Sequence, residues 1–197
     1  MFSVPADELK RKGFHLLSLI YVIAYMYLSK PAVILGLGIA IALVITLEVL
    51  RFKVPVFNDF FCRNFKGFYR PEEAKKVSGL IGTLSGALIT VVLFPNRYMV
   101  LASFLYLVFG DSAAALAGKS VGKHKSFAGK SIEGSAACFI VCFIAGLFIF
   151  NWKFALAGAL IAAAVEAVPW KINDNFWMQI VNAGLLTLLS GVMIWTK

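Results

Sequence analysis

Recurrent long apolar runs constrain the fold of this chain more than any other feature of its sequence. Several runs reach the length of about 18 residues that is typical of a membrane helix. The chain is 60% hydrophobic, whereas soluble domains are nearer half apolar. The sequence therefore predicts an all-α, polytopic integral membrane protein with about seven transmembrane helices. The candidate spans are residues 14–29, 31–50, 79–95, 97–117, 133–150, 153–169 and 176–195.

The segments between these runs are too short to form a second domain, so we expect one transmembrane catalytic domain over residues 1–197. The first run follows a basic stretch at 10–12, as the apolar part of a signal peptide would. It ends at residues 29–31 in Ser-Lys-Pro rather than in a small-x-small cleavage site. We therefore expect a retained helix.

The distribution of charge predicts the orientation. With the N-terminus in the cytoplasm, all but four of the 19 Lys and Arg residues lie on the inner side, which gives an N-in/C-out topology. All ten Asp and Glu residues also fall on the inner side or in the inner half of a span, which the positive-inside rule does not require. We expect a plasma (inner) membrane protein if the source is prokaryotic, with its active site facing the cytoplasm.

Six of the spans carry a polar side chain at a similar depth. At about 1.5 Å per residue, these groups lie roughly 18–25 Å from the outer turns. Ionisable groups inside a membrane are costly and usually face a cavity or a partner. The sequence therefore predicts a polar pocket that opens to the cytoplasm. Its predicted members are His15, Glu48, Thr83, Asp111, Glu166 and Asn182.

The segment 53–77 combines aromatic and basic residues. Phe57, Phe61, Phe65 and Phe68 have helical spacing and alternate with Arg and Lys. This pattern predicts an amphipathic helix that lies in the cytoplasmic interface, in contact with membrane lipids. Because the flanking spans tie the segment to the bilayer, we expect no nucleic-acid partner.

The loop between the fourth and fifth spans carries the residues best suited to bind phosphate. It contains lysines, which neutralise phosphate charge, and glycines, which expose backbone N–H groups. Its two Gly-Lys-Ser elements, at 118–120 and 129–131, lack the earlier glycine and the preceding strand of a P-loop. Topology and contact with anionic lipid head groups can explain the lysines. They do not explain Asp111 and Glu133, whose carboxylates suit a divalent metal.

These elements resemble those of the CTP-dependent lipid kinases, a group that includes dolichol kinase, phytol kinase and CTP-dependent diacylglycerol kinase. Phosphatidate cytidylyltransferase is a distant relative, but its C-terminal signature is not found here, which favours the kinase branch. The resemblance covers most of the chain and is most specific in the loop. It rests on Gly110-Asp111-Ser112, Gly118-Lys119-x-x-Gly122-Lys123 and Gly129-Lys130-Ser131-x-Glu133-Gly134-Ser135, and more weakly on Arg11-Lys12-x-x-His15, Glu48 with Arg51, Ser78-Gly79-x-x-Gly82, Glu166-x-x-Pro169 and Asp174-Asn175.

The resemblance implies that a phosphoryl group passes from CTP to the hydroxyl of a membrane-embedded lipid alcohol. The alcohol could be a polyprenol or dolichol, phytol or geranylgeraniol, or diacylglycerol, and Mg²⁺ is the expected cofactor. The nucleotide-binding residues that it implies are Gly118, Lys119, Gly122, Lys123, Gly129, Lys130, Ser131, Glu133 and Gly134.

A mechanism built on these residues gives each group a role. Lys123 and Lys130 neutralise the phosphates, and one of Glu48, Glu166 and His15 positions the lipid hydroxyl and accepts its proton. The expected partners are CTP, the lipid alcohol and membrane lipids, and a homodimer is left open. The candidate metal ligands are Asp111, Glu133 and Asp174, and the candidate catalytic residues are Asp111, Lys130, Glu133, Glu48, Glu166 and His15.

Two other functions compete with this interpretation. A cytidylyltransferase would use a similar CTP site to make a CDP-lipid. A small proton- or cation-coupled transporter would use the intramembrane carboxylates as a relay. Transport predicts an inverted repeat or polar groups that continue to the outer face, and the outer halves of the spans are nearly free of charge. The choice of CTP over another nucleotide rests on the resemblance alone.

Overall fold

The computed structural model describes residues 6–65, 67, 73, 76–126, 129–170 and 173–192. These residues form helices, joined by short turns and by one isolated bridge between Lys125 and Ser131. The predicted all-α class is therefore confirmed. The helices are α1 (Ala6–His15), α2 (Leu19–Tyr27), α3 (Lys30–Lys53), α4 (Pro55–Asn64), α5 (Gly79–Leu93), α6 (Arg97–Leu105), α7 (Ser112–Ser120), α8 (Ile132–Leu147), α9 (Trp152–Ala167) and α10 (Asp174–Val192).

Two pairs of these helices are continuous. A single turn of 3₁₀ helix, Leu16–Ser18, joins α1 to α2, and a π-helical segment, Tyr106–Asp111, joins α6 to α7. By length and composition, two helices in the described part of the chain can cross a membrane, namely Lys30–Lys53 and the continuous helix Arg97–Ser120. Gly79–Leu93 and Ile132–Leu147 are apolar but shorter.

Each predicted span contains a helix, and the largest difference is at the N-terminus. The sequence predicts a first helix from residue 14, whereas α1 already begins at Ala6. Its first turn carries Asp7 and Glu8 and its last turn Lys12 and His15, so its charges match the helix dipole. A search for apolar runs cannot find so polar a helix.

The predicted interfacial helix corresponds to α4 in its first half. On the predicted apolar face, Phe57 and Phe61 are half-buried and Phe65 is 42% exposed. The more exposed apolar side chains of α4 are Val56, at 79%, and Phe60, at 58%. Phe68 and the residues around it lie outside the described residues.

Two of the short turns lead into helices that begin with a side-chain cap, namely α6 and α9. The side chain of Asn96 accepts a hydrogen bond from the backbone N–H of Tyr98, and that of Asn151 accepts one from Phe154. Pro31 occupies the first turn of α3, where its missing N–H costs nothing.

The core around α8 and α9 depends on small residues. Tyr106 is fully buried between these helices, and a Cβ atom at Gly146 or Gly158 would lie 2.8 Å from its hydroxyl oxygen. On the neighbouring turn, a Cβ atom at Gly110 would lie 2.5 Å from Sγ of Cys142. Close packing against α8 thus fixes the π-helical segment that ends at Asp111, and π-helical turns are frequent at functional sites.

Candidate functional site

Asp111 lies at the end of the π-helical segment and faces α1. Lys12 donates a hydrogen bond to its Oδ2 atom, and Nε2 of His15 lies 3.9 Å from the same atom. The three side chains are only 8–16% exposed. Lys12 was not among the predicted catalytic residues, although its position three residues before His15 places both on one helix face. The structure therefore brings two of the predicted residues together and adds a buried cation.

Glu8 fixes the other end of α1 to the loop. Its buried carboxylate accepts hydrogen bonds from Arg11, at 2.6 Å, and from Lys119 at the end of α7. The Lys119 side chain is 48% exposed, so its ammonium group borders both α1 and solvent. This pairing could not be predicted from the sequence because the two residues are 111 positions apart.

Lys130 connects the loop to the inner ends of α9 and α10. Its Nζ atom donates to Oε1 of Glu166 at 2.9 Å and to the backbone oxygen of the same residue, and it lies 3.9 Å from Oδ2 of Asp174. Oε2 of Glu166 is buried without a hydrogen-bond partner. Three predicted site residues thus meet around one ammonium group.

Three of the predicted glycines surround Ser131. The Ser131 hydroxyl caps α8 by accepting a hydrogen bond from the backbone N–H of Gly134 at 3.0 Å. A Cβ atom at Gly118, Gly122 or Gly134 would lie 2.8–2.9 Å from this hydroxyl oxygen. Gly129 has a φ of +78°, which disfavours residues with side chains. These glycines are therefore needed for the close approach of α7, the loop and α8.

Glu133 organises the backbone of the loop. Its Oε1 atom lies 2.7 Å from Nδ1 of His124 and accepts hydrogen bonds from the backbone N–H groups of Lys123, at 3.1 Å, and His124, at 3.2 Å. These contacts use the acid to close the loop. Lys123 itself is exposed.

The predicted metal ligands do not assemble into one cluster. Among the described residues, no group of three or more His, Cys, Asp or Glu side chains could hold a metal ion. The reason is that Asp111 pairs with Lys12, Glu133 holds the loop backbone and Asp174 lies near Lys130. Mg²⁺ is often bound by one or two carboxylates together with substrate phosphates. The donor set fits that arrangement and does not fit an all-protein cage.

Glu48 lies in a separate buried contact. Its Oε2 atom accepts a hydrogen bond from Arg51 at 2.7 Å and one from the backbone N–H of Ser78 at 3.3 Å. Arg51 in turn donates to the backbone oxygens of Glu73 and Lys76, both at 2.7 Å. The pair thus anchors the chain that leads into α5.

A cavity of about 520 Å³ extends from the cluster of Lys12, His15 and Asp111 along α2, α3 and α5. Apolar residues, mainly of α2, α3 and α5, form much of its lining. The charged and polar lining residues are Arg11, Lys12, His15, Ser18, Glu73, Thr83, Asp111, Asn173 and Asn175. The predicted polar layer therefore divides. His15, Thr83 and Asp111 share this cavity, whereas Glu48, Glu166 and Asn182 do not line it within the described part of the chain.

A network of amide side chains supports the polar end of the cavity. Asn175 donates to the hydroxyl of Thr83 at 3.1 Å, and Gln179 donates to the backbone oxygen of Thr83 at 2.9 Å. Tyr21 donates to Gln179 at 3.3 Å. Asn173 donates to the backbone oxygen of Gly79 at 2.9 Å. Sequence reasoning missed Asn173 and Gln179. The one available signal was the recurrence of amide residues along α10.

Comparison with known proteins gives relatives over most of the chain. An uncharacterized protein of Rickettsia prowazekii is 31% identical over 180 residues, which cover 85% of this chain and 87% of the relative. The CTP-dependent diacylglycerol kinase 1 of Saccharomyces cerevisiae is 27% identical over 195 residues, 96% of this chain and 64% of that protein. The protein of the same name from Schizosaccharomyces pombe is 28% identical over 162 residues, 72% of this chain and 74% of that protein.

No family model matches the chain, and no solved structure matches it. The loop, the buried carboxylate and the amphiphilic cavity define a helical protein with one phosphate-suited surface and one lipid-suited surface. These named relatives support a place for the chain in the CTP-dependent lipid kinase family.

Proposed function

We propose that this protein transfers the γ-phosphoryl group of CTP to the hydroxyl of a membrane-embedded lipid alcohol at the cytoplasmic face. The observation that carries the proposal is the position of Asp111 at the polar end of a cavity whose remaining wall is apolar. Lys119 at the end of α7 pairs with Glu8, four residues before Lys12 on α1, so the start of the loop and Asp111 contact the same helix. The proposed phosphate-binding loop, an acid and the cavity therefore adjoin one another around α1. The names of the yeast relatives support both CTP and a lipid substrate.

The membrane arrangement is part of this proposal. Seven helices cross the bilayer with the N-terminus inside and the C-terminus outside, and α4 lies in the cytoplasmic interface. The length and apolar character of Lys30–Lys53 and Arg97–Ser120 support two of these crossings directly. The concentration of Lys and Arg at the inner ends supports the orientation. In a prokaryote the membrane would be the plasma (inner) membrane.

The loop residues bind and neutralise the nucleotide in this proposal. Lys119, Lys123 and Lys130 face the phosphates, and the backbone N–H groups of the loop add donors. Asp111 would hold a magnesium ion together with the phosphates of the bound nucleotide. Such an ion would supply neutralisation of the charge on the transferred group. Glu166 holds Lys130 in position, and Glu133 holds the loop backbone.

His15 is the residue best placed to accept the proton of the lipid hydroxyl. The His15 residue lines the cavity, and its Nε2 atom is buried, has no hydrogen-bond partner and lies 3.9 Å from Oδ2 of Asp111. Glu48 and Glu166 are already engaged with Arg51 and Lys130. Phosphoryl transfer depends mainly on positioning and charge neutralisation, so a modest base is sufficient.

Label transfer tests the proposal. Purified protein in lipid vesicles is given Mg²⁺ and CTP labelled on either the γ- or the α-phosphate, with phytol, geranylgeraniol, a polyprenol, dioleoylglycerol or phosphatidate. We expect γ-label in one of the alcohols, and that alcohol names the substrate. Appearance of α-label in lipid would instead mean a cytidylyltransferase, and absence of both labels would remove the enzyme proposal. Asp111→Asn should lose transfer, whereas Asp59→Asn, an exposed acid on α4, should retain it.

A further inference from the structure

The apolar part of the cavity forms a groove between the continuous helix α1–α2 and α3. This inference rests on the function proposed above and deepens it. Leu17, Ala24 and Leu28 line one side. Leu17 and Ala24 are seven residues apart on one face of the continuous helix α1–α2, and Leu28 follows directly after α2. From His15 to Leu28 the groove extends for about 20 Å at about 1.5 Å per residue. A hydrocarbon chain that begins at the polar end would therefore run towards the outer turn.

The opposite side of the groove consists of small residues on α3. Ala32, Gly36 and Ala40 are four residues apart, so they form one line along the helix. Small residues commonly allow two helices to approach closely. Here they border open space instead, because a Cβ atom at Gly36 would meet no atom within 4 Å. Val22 of α2 and Val33 of α3, which also lines the cavity, belong to one buried apolar cluster.

A second and independent observation marks the polar end of the groove as a ligand site. The His15 side chain is only 10% exposed, and its Nε2 atom is buried without a hydrogen-bond partner. Buried polar atoms are nearly always paired. An amphiphile with a hydroxyl at one end would satisfy this nitrogen and would bury its chain against the apolar wall.

We propose that this groove binds one hydrocarbon chain of the acceptor alcohol, with the hydroxyl at His15 and Asp111, and that Gly36 sets how much chain the groove admits. The occupant is a lipid alcohol and not a peptide or a second copy of the chain, because the groove is continuous with the proposed reaction centre at Asp111. For a glycerolipid, the second chain stays in the bilayer outside the groove.

Chain-length selectivity tests the role of Gly36. We expect Gly36→Phe to lower the ratio of kcat/KM for a long acceptor to that for a short one by about tenfold, as is typical for a change in the volume of an apolar pocket. The acceptor pairs are geranylgeraniol with geraniol and dioleoylglycerol with dioctanoylglycerol. Gly38→Phe is the matched control, since Gly38 is on the same helix, also has no atom within 4 Å of an added Cβ, and does not line the cavity. The control should leave the ratio unchanged.

The two proposals fail in distinguishable ways. If the wild-type protein transfers γ-label but Gly36→Phe and Gly38→Phe have the same selectivity as wild type, the groove proposal is wrong and the kinase proposal stands. If the wild-type protein transfers no γ-label to any alcohol, the kinase proposal itself is wrong.

A binding measurement on the unaltered protein keeps the proposal testable if Gly36→Phe fails to fold. A long-chain alcohol with a photoreactive diazirine at its chain end is incorporated into vesicles, irradiated and mapped by mass spectrometry. We expect labelling of peptides that contain residues 24–28 and 32–40, and we expect unlabelled geranylgeraniol to reduce it. Labelling confined to the outward face of α3 at Leu35, Ile39 and Leu43, with no competition, would overturn the proposal.

Discussion

The contact between Lys12 and Asp111 gives the sharpest test of the site geometry. Their side chains are 8% and 16% exposed, so both charges are largely removed from water. Removing one member of a buried ion pair leaves an uncompensated charge and typically costs about 3–5 kcal/mol. We expect Lys12→Met to lower the free energy of unfolding by about 3 kcal/mol without substrate, since part of the Asp111 side chain still reaches solvent.

The double variant Lys12→Met/Asp111→Asn removes both charges together. Replacing a whole buried pair is often close to neutral, so we expect it to recover most of the lost stability. The resulting coupling energy should be at least about 2 kcal/mol, towards the upper part of the range for residues in direct contact. The assay is chemical unfolding of the four proteins in detergent micelles, followed by tryptophan fluorescence.

The exposed Lys10 provides the control, because Lys10→Met on the same helix should change stability by less than about 0.5 kcal/mol. Additive effects of Lys12→Met and Asp111→Asn would refute the reasoning. In that case α1 would not lie against Asp111 in the folded protein, and its side chains would not line the polar end of the cavity.

Three further predictions concern the loop and its supports. Lys130→Ala should raise the KM for CTP at least tenfold in initial-rate assays, because it removes a charge-assisted phosphate contact. Gly118→Ala should weaken CTP binding in a thermal-shift titration, because its Cβ would lie 2.8 Å from the Ser131 hydroxyl, and Ser131→Ala in the same chain should restore part of that binding. Glu48→Gln should lower the melting temperature while the surviving folded protein keeps most of its kcat, since Glu48 holds Arg51.

Each of these outcomes has a counterpart that would contradict it. An unchanged KM for CTP in Lys130→Ala would exclude that lysine from the phosphate site. Failure of Ser131→Ala to improve Gly118→Ala would mean that their close approach does not matter for binding. A large loss of kcat in Glu48→Gln with an unchanged melting temperature would make Glu48 the candidate general base again.

Most of the helices could be predicted from the sequence, and α1 is the helix that was missed. Long apolar runs identify the helices after residue 18 because burial in lipid leaves a strong compositional signal. The helix α1 carries Asp7, Glu8, Lys12 and His15, and it is held by charge pairs rather than by apolar packing. Acidic residues in the first turn and basic residues in the last were the only signals for it.

The pairing of the site residues could not be read from the sequence. Counting residues from the outer turns places Asp111 and Glu166 at a common depth, but it does not give the rotation of each helix about its axis. Asp111 therefore meets Lys12, 99 positions away, whereas Glu166 meets Lys130, 36 positions away. The metal site of Asp111, Glu133 and Asp174 was expected from residue type alone. The sequence does not show that Glu133 accepts hydrogen bonds from the loop backbone.

The most direct test of the central claim is γ-label transfer from CTP to a lipid alcohol by the wild-type protein and by Asp111→Asn in vesicles of the same composition. We expect γ-labelled lipid from the wild type and a loss of at least about a hundredfold in Asp111→Asn, comparable to the removal of an electrostatic group from an active site. Equal transfer by both proteins would contradict the proposed site. Transfer of α-label by the wild type would contradict the proposed reaction.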